Sequence, residues 1–215
     1  MLEKNKFDKI QISANHYFNL DYVSQGRWFN YFLQIKNVLL ISKIGDNILE
    51  VGKGNGMVSS VLEKMNLTIK TLDIDEALKP DIVSSILETP CQNSEFDTVL
   101  AAEILEHIPF NLFEKALKEI FRISKKYAVI SIPHIGVVIK INIKIPLIKE
   151  VSIFFKIPYF WKKHIFNGQH YWEVGKRGFS LNKIRKEIHS AGWKINKEFI
   201  DKNDPSHWHC LLEKK

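Results

Sequence analysis

The sequence has only two cysteines, Cys91 and Cys210, among its 215 residues. Two cysteines cannot build the disulfide framework of a small secreted domain, and they fit a reducing compartment. The N-terminus lacks the apolar core of a signal peptide, and no stretch reaches the ~18 uncharged apolar residues of a membrane-spanning helix. We therefore expect a cytoplasmic protein. Repeats and low-complexity tracts are also missing, which excludes solenoids and linker-joined modules.

Acidic residues are scarce in the last third of the chain. Residues 140–215 contain 16 Lys and Arg against 7 Asp and Glu, whereas residues 1–139 contain 15 against 17. The net charge of +7 is therefore a local excess and not a uniform basic coat. This distribution makes nucleic acid an unlikely partner and favours one anion-facing surface.

From residue 47 onwards, short apolar segments alternate with helical patterns. Strands are predicted over 47–51, 68–73, 81–86, 96–101 and 127–133, with helices over 57–65 and 111–123. Ser180 predicts the N-cap of a helix over 181–190, and strands over 193–200 and 207–213 follow Gly192. The alternation predicts an α/β fold with a doubly wound, mostly parallel, seven-stranded sheet.

The strongest local signal is the segment ILEVGKGNG, which contains Gly52, Gly54 and Gly56. Glycines allow positive φ and a close approach of ligand to backbone, and the following helix presents its N-terminal amides. A dinucleotide site would need a small residue where Met57 stands. Glu50, just before the turn, repels a diphosphate and attracts an ammonium group. The turn therefore favours a zwitterionic ligand with a cationic centre over NAD.

The same segment resembles the first motif of the Rossmann-like (class I) S-adenosylmethionine-dependent methyltransferases, in which E/D-x-G-x-G-x-G is usual. TLDID resembles their second motif, PDIVSSILETP the third-strand region, and FDTVLAAEILEHIP the fourth-strand motif. The YAVISIP segment and a closing antiparallel strand after Gly192 also fit. Within the class, the chain looks like the small-molecule, ubiquinone/menaquinone-type enzymes. The resemblance implies S-adenosylmethionine as cofactor, S-adenosylhomocysteine as product and no metal.

The resemblance also implies a set of cofactor contacts. The methionine moiety would be lined by Gly52, Gly54 and Gly56, and its amino group would be supported by Glu50. The ribose hydroxyls would bind Asp73, and the adenine would pack on Ile74 with Ser85 and Ile86 near its amino group. The pocket would be closed by Ala101, Ala102 and Glu103. The two oxygens of a carboxylate suit a vicinal diol. Asp75 is the alternative to Asp73, because strand alternation places both on one face. Asp73 is preferred because it ends the apolar run. Ser85, where the family often has Asp, and Lys53, where relatives have Cys, Ala or Ser, depart from the pattern.

No catalytic residue is predicted, because a sulfonium is already a good methyl donor and positioning is the main task of such an enzyme. The candidates for mutation are His107, His134, His170 and Tyr171. For His107, ordering the loop is favoured over catalysis. His207 and His209 would share one strand face beside Cys210, but no second ligand pair has zinc-like spacing. A metal is therefore not expected.

A single methyltransferase domain over 1–215 is predicted. It comprises a helical cap (1–45, with an amphipathic helix over 17–41), a cofactor-binding core (46–134), an apolar and basic insertion after strand five (135–168), and a C-terminal helix and strands (169–215). Residues 135–165 contain six lysines and one acid, Glu150, and the alternation over 139–145 predicts an exposed strand. The insertion either packs over the sheet with its lysines exposed, or forms a lid that admits an amphiphilic or anionic substrate or rests on an anionic membrane.

These features predict in-line SN2 transfer of a methyl group from S-adenosylmethionine to a small-molecule acceptor, apolar or anionic. An Asn/Asp-Pro-Pro-aromatic motif, common in enzymes that methylate base amino groups, is missing after strand four, where Ala101, Ala102 and Glu103 stand. Two alternatives stay open: a non-catalytic methyltransferase-like binding module and, less favoured, a nicotinamide-dependent oxidoreductase. The oligomeric state is not predicted.

Overall fold

The computed structural model describes residues 10–144 and 151–215. Nine strands are described, β1 (Asn47–Val51), β2 (Thr68–Asp73), β3 (Ile82–Val83), β4 (Phe96–Ala102), β5 (Ser124–Pro133), β6 (Gly136–Ile143), β7 (Val151–Pro158), β8 (Trp193–Asp201) and β9 (Asp204–Lys214). Seven of them form the main sheet in the order β3-β2-β1-β4-β5-β9-β8. Strands β1 to β5 pair in parallel, whereas β9 runs antiparallel to both β5 and β8. The predicted mostly parallel sheet with an antiparallel last strand is confirmed.

Helices cover both faces of this sheet. They are α1 (Gln25–Ile41), α2 (Met57–Lys64), α3 (Phe113–Ile123) and α4 (Leu181–Ser190). Successive strand residues point to opposite faces, so Ile48 packs with α1 and α2, while its neighbour Leu49 packs with α3 and α4. The strands are apolar on both faces because both are buried. Ser180 caps α4 as predicted, since its hydroxyl accepts a hydrogen bond from the Lys183 amide.

The third strand is shorter than predicted, and the reason lies in its serines. The predicted strand over 81–86 shrinks to Ile82–Val83. The Ser84 hydroxyl donates to the Glu88 carbonyl at 3.1 Å, and the Ser85 hydroxyl accepts from the Leu87 amide at 3.1 Å. Serine side chains that bond nearby backbone groups favour turns over strands. The chain consequently turns beside the carboxyl end of β2.

The N-terminal cap is not one helix over 17–41. Two short 3₁₀ helices, Ala14–Phe18 and Leu20–Tyr22, precede α1. Ser24 is extended and its hydroxyl accepts from the Arg27 amide at 3.3 Å, which begins α1 at Gln25. The apolar and aromatic residues before Ser24 are therefore held in a separate short segment.

Strands β6 and β7 form an antiparallel hairpin apart from the main sheet. The predicted exposed strand over 139–145 begins earlier, at Gly136, and is exposed along its length. Its last predicted residue, Ile145, and the acid Glu150 lie outside the described residues. Strand β7 was not among the predicted strands. Of the helices in the described ranges, none has the length and apolar character needed to cross a bilayer.

Candidate active site

A cavity of about 640 Å³ opens at the carboxyl ends of β1, β2, β4 and β5. Gly52, Asp73, Ala102 and Pro133, which end or follow these strands, all line it. Ligands of open α/β sheets bind at this edge, and the volume suits a cofactor-sized molecule. Tyr17 and other residues of the N-terminal segment also line the cavity.

The glycine turn forms one wall of the cavity. Gly52 has φ +83°, and a Cβ atom there would lie 2.0 Å from Cδ1 of Ile104. Only glycine therefore fits this position. Gly54 also lines the cavity, whereas Gly56 lies behind the wall at the start of α2. The Lys53 ammonium donates to the Lys79 carbonyl and is not part of the lining.

Glu50 lies directly behind the turn and is 5% exposed. Its Oε2 atom has no hydrogen-bond partner among the described residues. Burial raises the pKa of the Glu50 carboxyl to about 8, although hydrogen bonds from Ser59 oppose the shift. A buried carboxyl oxygen without a hydrogen-bond partner is costly, and a cation bound at the turn would relieve this cost.

Asp73 and Asp75 both line the cavity but differ in their local bonds. Asp73 ends β2, and its Oδ1 atom accepts from the Asp75 amide at 3.0 Å. Burial raises the pKa of the Asp73 carboxyl, while hydrogen bonds from the amides of Asp75, Gly54 and Lys53 oppose the rise. Asp75 instead caps a 3₁₀ turn, because its Oδ1 atom accepts from the Ala77 amide at 2.9 Å.

The predicted adenine-side residues also meet at this edge. Ile74 is 37% exposed and lines the cavity together with Ser85 and Ile86. Ala102 lines it as well, whereas Ala101 is fully buried in the core of the sheet. Seven of the ten predicted cofactor residues thus share the lining. Glu50, Gly56 and Ala101 lie behind it, and the ten contacts remain predictions.

At the far end of the cavity, a histidine lies between two carboxylates. His207 on β9 places Nδ1 2.6 Å from Oδ1 of Asp204 and Nε2 3.2 Å from Oε2 of Glu103. Burial alone would lower the pKa of His207, but the Glu103 and Asp204 carboxylates outweigh burial and raise it. Burial also favours protonated Asp204, yet hydrogen bonds from His207 and His209 bring its pKa down to about 2. The Ser131 hydroxyl donates to Oε1 of Glu103 at 2.6 Å.

We call this arrangement the Glu103–His207–Asp204 chain. All three residues line the cavity. Sequence reasoning considered His207 only as a metal ligand and did not connect it with Glu103, since the two come from β9 and from the loop after β4. His207 and His209 do share one strand face, and both bind Asp204. The positive φ of Glu103, +55°, turns its carboxylate out of the strand direction.

A second cluster comprises Glu106, His107 and His170, whose ligand atoms lie within 4.8 Å of one another. Glu106 is fully buried and neither of its carboxyl oxygens has a hydrogen-bond partner in the described part of the chain; Oε1 lies 3.9 Å from Nε2 of His107. Burial, and then the negative charge of Glu103, raise the pKa of Glu106 well above its ordinary value. Burial and the neighbouring His170 lower the pKa of His107 to about 4. A neutral imidazole and a carboxylate are metal-ligand types, so this cluster is where the described residues could hold a cation.

The four histidine and tyrosine candidates separate into two groups. His107 and His170 line the cavity, whereas His134 and Tyr171 do not. Nδ1 of His107 lies 2.9 Å from Oε1 of Gln11 and 3.2 Å from the Gln169 carbonyl. These contacts join three segments, which fits the loop-ordering role. His134 is buried and its carbonyl accepts from Lys156 of the hairpin. The Tyr171 ring contacts the Phe166 ring at a tilt of 32°, with 4.6 Å between the ring centroids.

Residues 49–132 match the family model described as a methyltransferase domain. Among curated proteins, none has a significantly similar sequence. The magnesium protoporphyrin IX methyltransferase of Synechocystis with bound S-adenosylmethionine is structurally similar (TM-score 0.64, 10% identity, 100% of each chain). The 1,6-didemethyltoxoflavin-N1-methyltransferase of Burkholderia thailandensis is also similar (TM-score 0.63, 11% identity, 94% of this chain and 84% of that one). A third is an S-adenosylmethionine-dependent methyltransferase of Aquifex aeolicus (TM-score 0.62, 15% identity, 95% of this chain and 100% of that one).

The fold is that of the Rossmann-like methyltransferases, and the matched domain spans the predicted cofactor-binding motifs. The match to a methyltransferase domain and the shared fold together support an S-adenosylmethionine-dependent methyltransferase. The observed cavity fits this cofactor. It has a glycine wall that admits close approach, a buried carboxyl behind that wall with one oxygen that lacks a hydrogen-bond partner among the described residues, and a carboxylate at the end of β2.

Proposed function

We propose that the protein methylates a hydroxyl or amine group of a small-molecule acceptor. One observation carries the proposal: the two ends of a single cavity differ in chemistry. The end over β1 and β2 has the glycine wall and Asp73, and the end over β4, β5 and β9 has the Glu103–His207–Asp204 chain. When bound, S-adenosylmethionine supplies a methyl group activated by the adjacent sulfonium.

At the first end, each predicted residue has a chemical role in holding the cofactor. The Glu50 carboxyl lies behind the turn, and an ammonium group there would give it the cationic partner that it lacks. Asp73 offers two oxygens to the ribose hydroxyls. Ile74 exposes apolar surface to an adenine face, and Ser85 and Ile86 border the same wall. Gly52, Gly54 and Gly56 keep the turn open, and Ala101 and Ala102 complete the end of β4.

At the second end, the Glu103–His207–Asp204 chain is suited to accept a proton. A protic acceptor must lose a proton as the methyl–oxygen or methyl–nitrogen bond forms. The Glu103 carboxylate and Nε2 of His207 are the candidate acceptors of that proton. Asp204 stays ionised and orients the imidazole through Nδ1, much as a buried carboxylate orients a catalytic histidine in hydrolases. The in-line SN2 geometry then depends on how the cavity walls position the acceptor.

Several observations support a small acceptor over a macromolecule. Residues of the N-terminal segment help to line a cavity of about 640 Å³, a size that suits a small molecule. The similar structures from Burkholderia thailandensis and Synechocystis are named for small molecules, a toxoflavin precursor and magnesium protoporphyrin IX. The localised basic charge does not favour nucleic acid. A quinone precursor, as in ubiquinone/menaquinone-type enzymes, and a lipid-linked sugar are acceptors to test first.

The test is transfer of a labelled methyl group from S-adenosylmethionine to a metabolite extract. We expect a labelled small molecule with wild-type protein and none with the His207→Gln/Asp73→Ala double variant. Binding of S-adenosylhomocysteine without any transfer would instead indicate the non-catalytic binding module. Calorimetry separates the oxidoreductase alternative, because binding of NAD but not of S-adenosylhomocysteine would contradict the proposal.

A further inference from the structure

The β6–β7 hairpin has one face made only of apolar side chains. Its register pairs Val137 with Ile157, Ile139 with Phe155, Ile141 with Ile153, and Ile143 with Val151. Alternation puts these eight side chains on one face. Each is between 39% and 61% exposed, so the face is open to solvent. Contiguous apolar surface of this extent marks a contact site.

The opposite face holds the hairpin in a set orientation. The Lys156 ammonium donates to the carbonyls of His134 and Pro205. The Lys140 ammonium donates to Oδ1 of Asn203 at 2.9 Å. These bonds join the inner face of the hairpin to the turn between β5 and β6, to the loop between β8 and β9, and to the start of β9. The apolar face therefore points away from the body of the protein.

The chain beyond β7 extends this surface with aromatic residues and lysines. Phe160, Trp161, Ile165 and Phe166 are 67%, 52%, 79% and 49% exposed. The described residues 136–144 and 151–166 contain five lysines and no acidic residue. Aromatic rings beside lysines suit the boundary between lipid acyl chains and anionic headgroups.

We propose that this surface, the apolar hairpin face with Phe160 to Phe166, docks on an anionic lipid bilayer. The apolar side chains enter the headgroup boundary, and the exposed lysines Lys144, Lys162 and Lys163 meet lipid phosphates. A second copy of the chain fits less well, because a symmetric contact would bring lysines against lysines without an acid among the described residues of the surface.

Docking would also place the cavity near the membrane. Pro133, the last residue of β5, and Ile135, just before β6, line the cavity. Asn203 and Pro205, which bind the hairpin lysines, line it as well. The acceptor end thus adjoins the base of the hairpin. If the proposed function holds, a membrane-resident acceptor reaches the second end of the cavity from the lipid surface.

Flotation with vesicles tests the docking without any assay of methyl transfer. We expect the full chain to float with phosphatidylcholine/phosphatidylglycerol vesicles roughly tenfold more than with phosphatidylcholine alone, and less at high salt. The Ile141→Ser/Phe155→Ser variant should lose roughly tenfold in binding. Lys162→Glu/Lys163→Glu, which leaves the apolar face intact, should lose the preference for anionic vesicles. The matched control, Ile44→Ser/Met65→Ser, changes two exposed apolar residues outside the surface and should bind as wild type does.

Wild-type protein that stays with the unbound fraction at low salt would overturn the proposal. Equal binding by wild type and Ile141→Ser/Phe155→Ser would also overturn it. A third outcome would assign the face to a second copy of the chain instead. In that outcome the wild-type protein does not bind vesicles but sediments as a dimer, and the Ile141→Ser/Phe155→Ser variant sediments as a monomer. S-adenosylhomocysteine calorimetry on the same samples reports the cofactor site alone, so failure to dock and failure of the proposed function are distinguishable.

Discussion

Nε2 of His207 lies 3.2 Å from Oε2 of Glu103, although one residue is on β9 and the other follows β4. The antiparallel pairing of β9 with β5 brings them together, since β5 lies between β4 and β9. The contact joins a carboxylate to an imidazole whose other nitrogen binds Asp204. The sheet thereby brings an imidazole and two carboxylates together at the end of the cavity opposite the glycine turn.

Replacing His207 should separate catalysis from cofactor binding. His207→Gln is expected to lower the rate of methyl transfer by ~10²–10⁴-fold, because the proton of the acceptor loses its base. Affinity for S-adenosylhomocysteine, measured by calorimetry, should stay within roughly threefold, because the imidazole is at the other end of the cavity. His189→Gln is the control, since that histidine binds the Trp193 carbonyl outside the cavity. Equal rates for wild type and His207→Gln would remove His207 from the mechanism.

Asp204→Asn tests the Glu103–His207–Asp204 chain in a second way, through the pH dependence of the rate. The substitution keeps the shape but removes the charge that helps to raise the pKa of His207. We expect the acid limb of the pH–rate profile to move to lower pH, as the imidazole then releases its proton more readily. An unchanged profile would show that His207 only supports the structure.

Asp73→Ala should weaken S-adenosylhomocysteine binding by ~1–3 kcal/mol, because the ribose hydroxyls lose their acceptor. Asp75→Ala is the informative comparison, since both residues line the cavity.

Asp75 caps the 3₁₀ turn Glu76–Leu78, so removal of its carboxylate should mainly lower the free energy of unfolding, by ~1 kcal/mol. Isothermal calorimetry and urea unfolding measure the two effects. A larger binding defect in Asp75→Ala would move the ribose role to Asp75.

Glu50→Gln should change stability and binding in opposite directions. Burial raises the pKa of Glu50 from 4.5 to about 8, so between these pH values the folded protein keeps a proton that the unfolded chain has lost. The contribution of Glu50 to stability is therefore present below pH 4.5 and is lost as pH rises towards 8. Glu50→Gln does not titrate, and its free energy of unfolding should exceed that of wild type by at least ~1 kcal/mol at the upper end of this range.

The advantage of Glu50→Gln should shrink as the pH falls, and urea unfolding at both ends of the range checks this. Its affinity for S-adenosylhomocysteine should fall roughly tenfold, because the ammonium loses a carboxylate. Glu63→Gln, on the exposed side of α2, controls for the removal of any charge. A Glu50→Gln protein that is no more stable than wild type at the higher pH would contradict the raised pKa.

A comparison of two glycines separates the steric clash at the glycine turn from the cost of a left-handed backbone. Gly52 and Gly45 have nearly the same φ, +83° and +86°, but only Gly52 has a side chain in the way of a Cβ atom. Gly45→Ala should cost ~1 kcal/mol for the left-handed backbone alone. Gly52→Ala adds the collision with Ile104 and should lower the free energy of unfolding by a further ~1–3 kcal/mol. Similar thermal midpoints for the two variants would show that Ile104 moves aside freely.

Much of the fold follows from local pattern. The first, second, fourth and fifth strands, the helix after the glycine turn and the Ser180 cap were predicted because period-two and period-3.6 apolar patterns are local properties of the chain. The predicted bounds of the third strand and of the N-terminal helix were wrong, because the side chains of Ser84, Ser85 and Ser24 form hydrogen bonds with nearby backbone groups and redirect the backbone there. The glycine turn, Asp73 and Ile74 could be predicted as a site because they are consecutive with their strands.

What the sequence by itself determined is therefore the sheet, its order of elements and the first end of the cavity, where each residue follows its own strand. The scarcity of cysteine argued against a disulfide-bonded secreted domain, and the basic excess confined to residues 140–215 argued against a nucleic-acid-binding protein. Only the tertiary structure decided the second end and the outward face of the hairpin. His207 meets Glu103 through the register of β9 on β5. The apolar face points outward because lysines on the inner face bind the loop before β9 and the first residues of β9. Both depend on contacts between residues far apart in the chain, which no local pattern encodes.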